Sequence, residues 1–284
     1  MHSSSLPTPR SLEGECQHPF ATLTLDDPPV HTSNARTQFG DPRQFVTELE
    51  ASPELPSGSS ERFAGYGVMG LPFRSGHLLA MRRIPASSVG PGYSSVWHRN
   101  PFGRWTFFQD APPNVTCTRY FGAAVQEVVH AAIEIRWRTP RELTVTVVVG
   151  GEHRLEWRIR LTTSNATLLI NSLATVLPDS CWRSHAFLAV VSRLIPPVLH
   201  TGMLRLSGVT PNGQRFAVNP LVTWLIPQAT AILDGSDLGE VGAAPTQGRL
   251  GDFRIPQRGV FALGRAFFEP AVSDTASRSW LRRA

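Results

Sequence analysis

Lysine is absent from all 284 residues, so each of the 27 basic side chains is an arginine. A guanidinium does not give up its proton near neutral pH and forms no Schiff base, which excludes lysine-dependent decarboxylases and aldolases, a pyridoxal-phosphate anchor and a P-loop lysine. Cysteine is scarce as well. Cys16, Cys117 and Cys181 are odd in number and far apart, with no Cys-x-x-Cys pattern, which fits a reducing compartment and argues against a disulfide framework or structural zinc. The start of the chain lacks an apolar stretch behind a basic end, so no secretory signal is read and a cytoplasmic location is expected. No apolar run is long enough to span a bilayer, and no stable membrane insertion is expected.

Motif chemistry is equally thin. There is no Gly-x-Ser-x-Gly elbow and no His-x-His or His-Glu-x-x-His pair, so neither an acyl-enzyme hydrolase nor a metal site is expected. Gly65-Tyr66-Gly67-Val68-Met69-Gly70 matches the dinucleotide fingerprint in letters only. That fingerprint needs a strand before it and a helix after it, whereas a Ser-rich stretch precedes this one and Leu71-Pro72 follows. No cofactor is expected. The net charge of +5 and pI near 9.8 would suit a polyanion, but the arginines are scattered among 22 acidic residues without a reader motif, so nucleic acid is not the expected partner.

What is present is a strong period of two. From Ala131 to Arg138, Ile133, Ile135 and Trp137 alternate with Glu134, Arg136 and Arg138, as a half-buried strand requires. Leu143 to Val149 is mostly β-branched, and after Gly150-Gly151 the residues Leu155, Trp157, Ile159 and Leu161 alternate with charges. This spells an antiparallel meander with one wet face. Further strands are read at Arg215 to Val218, Leu221 to Ile226, Thr230 to Leu233 and Gly259 to Phe268, with Asn212-Gly213 and Asp234-Gly235 as turns. Between about 165 and 200 the period becomes helical, with Asn165 and Asp179 as expected N-caps and Pro178 and Pro196-Pro197 as stops. This pair is expected to close one end of a sheet structure rather than lie on a membrane.

Residues 1–60 are polar and Pro/Ser-rich, a flexible leader with one short helix near Arg43 to Ala51, and 271–284 form a basic tail. The fold class expected for 61–270 is mainly β, an antiparallel barrel or β-sandwich with a two-helix insertion. Its most informative segment is YSSVWHRNPFGRWTFFQD, residues 93–110: a hairpin around Asn100-Pro101-Phe102-Gly103, with Tyr93, Ser95, Trp97 and Arg99 on one face and Val96 and His98 on the other. Which face points inward stays open. Aromatics and arginines gather at strand ends, and the candidate ligand-binding set is His77, Trp97, Trp105, Tyr120, Trp224, Arg254 and Arg265. For each of these the competing assignment is a packed ring or a solvated cation.

The stretches SGHLLAMRRIPASSVGPGYSSVWHRNPFGRWTFF, SGVTPNGQRFAVNP and GDFRIPQRGVFALGRAFFEP resemble a recurrent family of GC-rich bacteria to which no activity is assigned. More distantly, the order of meander, helices and hairpins is similar to the lipocalin-like group that includes carotenoid hydratases and natural-product cyclases. That resemblance implies a β-barrel around a hydrophobic isoprenoid or polyketide and a cofactor-independent hydration, dehydration or cyclisation in biosynthesis. His98 is then the expected acid or base, assisted by Tyr93 or Asp110, since neither metal nor lysine serves. The alternative is a non-catalytic interaction protein, recognisable by an exposed apolar patch.

Overall fold

Asn100 and Gly103 close the turn of the 93–110 hairpin. The computed structural model describes residues 38–178 and 180–269, so most of the leader, Asp179 and the basic tail lie outside the described residues. Gly103 takes φ 86° and donates its N–H to Asn100 O at 2.9 Å, and Asn100 N–H bonds Arg104 O at 3.0 Å. The flanking strands pair from Ser95↔Gln109 to Arg99↔Trp105.

In chain order the elements are α1 (Pro42–Ala51), β1 (Glu61–Pro72), β2 (Leu78–Ser87), β3 (Tyr93–Arg99), β4 (Trp105–Gln109), α2 (Thr118–Phe121), β5 (Glu127–His130), β6 (Ala132–Thr139), β7 (Glu142–Val149) and β8 (Glu152–Thr162). They continue as α3 (Asn165–Val176), α4 (His185–Leu199), β9 (Ser207–Val209), β10 (Arg215–Leu233), β11 (Ser236–Asp237), β12 (Arg249–Leu250), β13 (Phe253–Arg254) and β14 (Val260–Phe268). The meander of β6, β7 and β8 and the strand β14 stand where the alternation puts them. The three strands expected between Arg215 and Leu233 are one strand, β10. Its prolines do not break it because the register shifts between Pro220 and Val222 and again between Leu225 and Gln228, so the missing donors fall at irregularities of the ladder.

The main sheet runs β5-β4-β3-β2-β1-β14-β10-β8-β7-β6. The fold is mainly β with a helical pair, but of the expected antiparallel barrel or β-sandwich no closed barrel forms among the described residues. β4 and β5 pair in parallel, so the sheet is mixed, and its path is open. The reason lies at Ala131. β5 and β6 follow each other with only this residue between them, and each pairs at an opposite end of the sheet. A covalent link therefore joins the two ends where a barrel would have a hydrogen-bonded ladder.

Curling of the sheet buries both faces of its first strands. On one side Val68, Met81 and Val96 pack against Val145, Trp157 and Trp224. On the other, Leu78, Ala80, Ile84, Tyr93 and Trp97 pack against Tyr120, Phe216 and Phe268. Trp224 Nε1 donates to Phe39 O at 2.8 Å, which ties the segment before α1 to the first core.

The helical pair forms, with different ends from those read in the sequence. Ser164, not Asn165, caps α3, in a reciprocal box with Thr167, and Ser184 caps α4 by accepting from Phe187 N–H. Cys181–Arg183 is a separate 3-10 turn. Pro196 and Pro197 lie inside α4, which ends at His200 in the left-handed region (φ 55°), so they do not stop it. Buried Asn171 on α3 donates to Thr223 O at 3.0 Å and accepts from Thr223 N–H at 2.9 Å, fixing the helix to β10. Among the described residues no helix is long and apolar enough to cross a membrane.

Candidate functional site

A cavity of about 160 Å³ lies on the Tyr93/Trp97 side of the sheet. Its walls are almost wholly apolar: Phe63, Phe216, Phe268 and Leu263 come from the strands, Phe121 from α2, and Ile195 from α4. The hairpin question left open by the sequence is thereby answered. The Tyr93/Trp97 face lines the cavity, and the opposite face, with Val96, joins the other core.

The polar end of the cavity is built on β2 and β3. Leu78, Ala80, Arg82 and Ile84 share one strand face by parity, and Arg82 is opposite Ser95 in the ladder. Arg82 is therefore carried into the interior, where only 8% of it stays exposed. Its Nη1 donates to Val68 O and, at 2.9 Å, to Met81 O; Nη2 donates to Met69 O at 3.3 Å. The register of β1 shifts between Val68 and Leu71 against β2 and between Val68 and Gly70 against β14, which makes Val68 and Met69 carbonyls available to the guanidinium.

The glycines of Gly65-x-Gly67-x-x-Gly70 thus belong to a strand and not to a phosphate loop. A Cβ at Gly67 would stand 2.0 Å from Met81 O, and one at Gly65 would stand 2.3 Å from Arg83 O, so both permit the close approach of β1 to β2. Sequence reasoning assigned this stretch no strand, because glycines dilute the alternation that marks one.

The Arg82 guanidinium carbon lies 4.8 Å from the Trp97 ring centroid and 5.9 Å from that of Phe253. Trp97 in turn stacks on Phe107 at 4.5 Å. Beside them Tyr93 OH and Cys117 Sγ are 3.0 Å apart. Burial pushes the Tyr93 hydroxyl well above its ordinary range, and burial likewise raises the Cys117 thiol against the opposing effects of Tyr93 and Arg82. Burial pulls Arg82 down to about 10, which leaves it a cation at neutral pH. This end of the cavity therefore holds one buried cation and two protonated donors in an apolar surround. Among the described residues Trp97 Nε1 is buried with no hydrogen-bond partner.

Of the residues singled out in the sequence, Tyr93, Trp97, Tyr120, Arg254 and Arg265 line the cavity. Tyr120 donates to Glu61 at 2.7 Å and stacks on Phe268 at 3.8 Å. Trp105 packs in the core on the same side, and Trp224 in the opposite one. His98 and His77 do not line the cavity; they pair with each other, Nε2 to Nδ1 at 2.9 Å, with rings stacked at 5.2 Å. Burial, then the neighbouring His77, lowers His98 to about 4, so it is neutral at physiological pH. Asp110 is exposed and accepts from Ser94 N–H at 2.7 Å, a hairpin-end contact. Arg82 and Cys117 were missed. For Arg82 the signal was present in its parity with Leu78, Ala80 and Ile84, but an arginine is ordinarily read as solvated. Cys117 had none.

Among the described residues no group of three or more His, Cys, Asp and Glu side chains is placed to hold a metal ion. No protein-family model and no curated protein matches the chain. Among solved structures it is similar to acetoacetate decarboxylase from Legionella pneumophila subsp. pneumophila str. Philadelphia 1, with a TM-score of 0.38, 11% identity and coverage of 79% of this chain and 93% of that one. A second acetoacetate decarboxylase structure is similar with a TM-score of 0.40, 12% identity and coverage of 80% and 93%. Similarity at this level assigns no residue of the chain a role.

Proposed function

We propose that this protein binds an apolar small molecule in the cavity between the sheet and the helical pair, with the polar end of that molecule at Arg82, Tyr93 and Cys117. The observation that supports this reading is the contrast within one cavity: apolar walls that converge on a buried cation and two protonated donors. An engineered cavity of roughly 150 Å³ lined by aliphatic and aromatic side chains holds one benzene ring, so a terminal isoprene unit or one ring of a polyketide is matched in size. Chemistry in this cavity, whether hydration, dehydration or cyclisation, falls to proton donation by Tyr93 or Cys117 and to stabilisation of developing negative charge by Arg82, since both hydroxyl and thiol stay protonated at neutral pH. His98 supplies no part of it from its position beside His77.

Native mass spectrometry with octan-1-ol added tests the binding. One adduct per chain is expected; no adduct, or a ladder of adducts that does not saturate, contradicts a single site.

A second reading has its own observation. Leu169 and Leu173 on α3 and Val190 and Leu194 on α4 are each at least half exposed, an apolar surface of the kind that mediates protein association. A concentration-dependent oligomer by light scattering, lost in a Leu173→Glu/Leu194→Glu variant, would favour an interaction role for the helical pair.

A further inference from the structure

We propose that the molecule bound in the cavity is an apolar acid whose carboxylate docks on the Nε/Nη2 edge of Arg82. This rests on the cavity reading above and narrows it to a substrate class.

The first argument is a count of donors. A guanidinium has five N–H groups. Nη1 spends both of its hydrogens on Val68 O and Met81 O, and Nη2 spends one on Met69 O. The Nε hydrogen and the second Nη2 hydrogen remain, on the two nitrogens that form one edge of the group. Two donors on adjacent nitrogens match the two oxygens of a carboxylate, the geometry in which arginine binds anions most strongly. Among the described residues nothing takes this role, because no ion pair joins Arg82 to an acidic side chain. Three backbone carbonyls hold the group rigidly without neutralising it.

The second argument is the charge of the walls. Arg82, Arg205 and Arg254 line the cavity, and among the described residues no aspartate or glutamate does. Asp252 balances Arg205 at 3.2 Å from outside the lining. A buried cation with no countercharge carries a large desolvation cost, and an anion with an apolar body offsets that cost while filling the rest of the space. Trp97 and Phe253 beside the guanidinium shield the pair from water, which strengthens the attraction between its charges.

Isothermal titration at neutral pH with octanoate and octan-1-ol, which share a chain length and differ in the head group, reads the preference directly. Wild type is expected to bind octanoate at least about tenfold more tightly than octan-1-ol, the range of a charge-assisted hydrogen-bonded pair. Arg82→Gln, which keeps an amide for the backbone carbonyls and removes the charge, is expected to weaken octanoate far more than octan-1-ol, so that the preference is lost. Equal affinities in wild type, or a preference intact in Arg82→Gln, would overturn the acid assignment while leaving the cavity reading in place. Failure of both molecules to bind wild type would overturn the cavity reading itself. Should Arg82→Gln not fold, the ¹³C-carboxyl resonance of octanoate bound to wild type decides: a carboxyl that titrates below free octanoate supports the proposal, and one that titrates at or above it overturns it.

Discussion

The guanidinium of Arg82 lies 4.8 Å from the ring centroid of Trp97, and both are buried. A cation over an indole is worth on the order of 1–2 kcal/mol when desolvated. Trp97→Leu loses this contact together with the stack on Phe107, and it is expected to destabilise the fold by about 3–5 kcal/mol, as for deletion of a large buried ring. Trp97→Phe keeps a stacked ring and is expected to cost less, about 1–2 kcal/mol. Urea denaturation of the two variants checks the order; equal losses would mean that the ring serves only as volume.

Gly67 is expected to tolerate no side chain. Its missing Cβ would meet Met81 O at 2.0 Å, and that carbonyl is also an acceptor for Arg82. Gly67→Ala must push β1 from β2 and is expected to cost about 3 kcal/mol, at the upper range of overpacking. Gly150→Ala provides the comparison, since nothing lies near its Cβ and only φ 59° opposes it, for about 1–2 kcal/mol. Chemical denaturation of both variants, showing Gly150→Ala as the costlier, would contradict the close approach of the two strands.

The His77–His98 pair predicts a defined acid sensitivity. Burial first, and then His77, hold His98 at about 4 in the folded protein, below its ordinary value near 6.5. The neutral ring is thus favoured by folding. Its contribution, on the order of 2–3 kcal/mol, is complete above about pH 6.5 and is lost as pH falls towards 4. Asp234 opposes the shift without cancelling it. Relative to wild type, His98→Gln should be destabilised at pH 7.5, and the gap between their melting temperatures should shrink by pH 4.5. A constant gap across this range would show that His98 does not titrate as the geometry requires.

Much of the scaffold was legible because it is amphipathic in the simplest way. Glu134, Arg136, Glu156 and Arg158 face water opposite Val145, Trp157 and Leu143, and the alternation states as much. The 93–110 hairpin was legible from its turn. Illegible were the parts where both faces are buried, because alternation then carries no information. Tyr66, Val68, Gly70 and Leu71 all lie within β1, whose glycines and long buried run hide the strand. The open path of the sheet was illegible too, since it depends on the single residue Ala131 between two strands that pair at opposite ends. Within the site, Tyr93, Trp97 and Tyr120 were singled out as strand-end aromatics; all three line the cavity, Tyr120 from α2 and not from a strand. The polar end of the cavity was missed because a buried arginine satisfied by backbone carbonyls looks, in sequence, like any other arginine.

The central claim is that the apolar ligand sits inside the cavity and not on the exposed helices. Ala266 on β14 lines the cavity and is half-buried, so Ala266→Trp should fill the space at small cost to the fold, which thermal unfolding verifies. Calorimetric titration with octan-1-ol measures the consequence. One site per chain in wild type, and affinity at least about tenfold weaker in the filled variant, is the predicted result, since about 1.4 kcal/mol of lost burial suffices for that factor. Equal affinity in a folded Ala266→Trp protein would place the ligand outside the cavity and contradict the account.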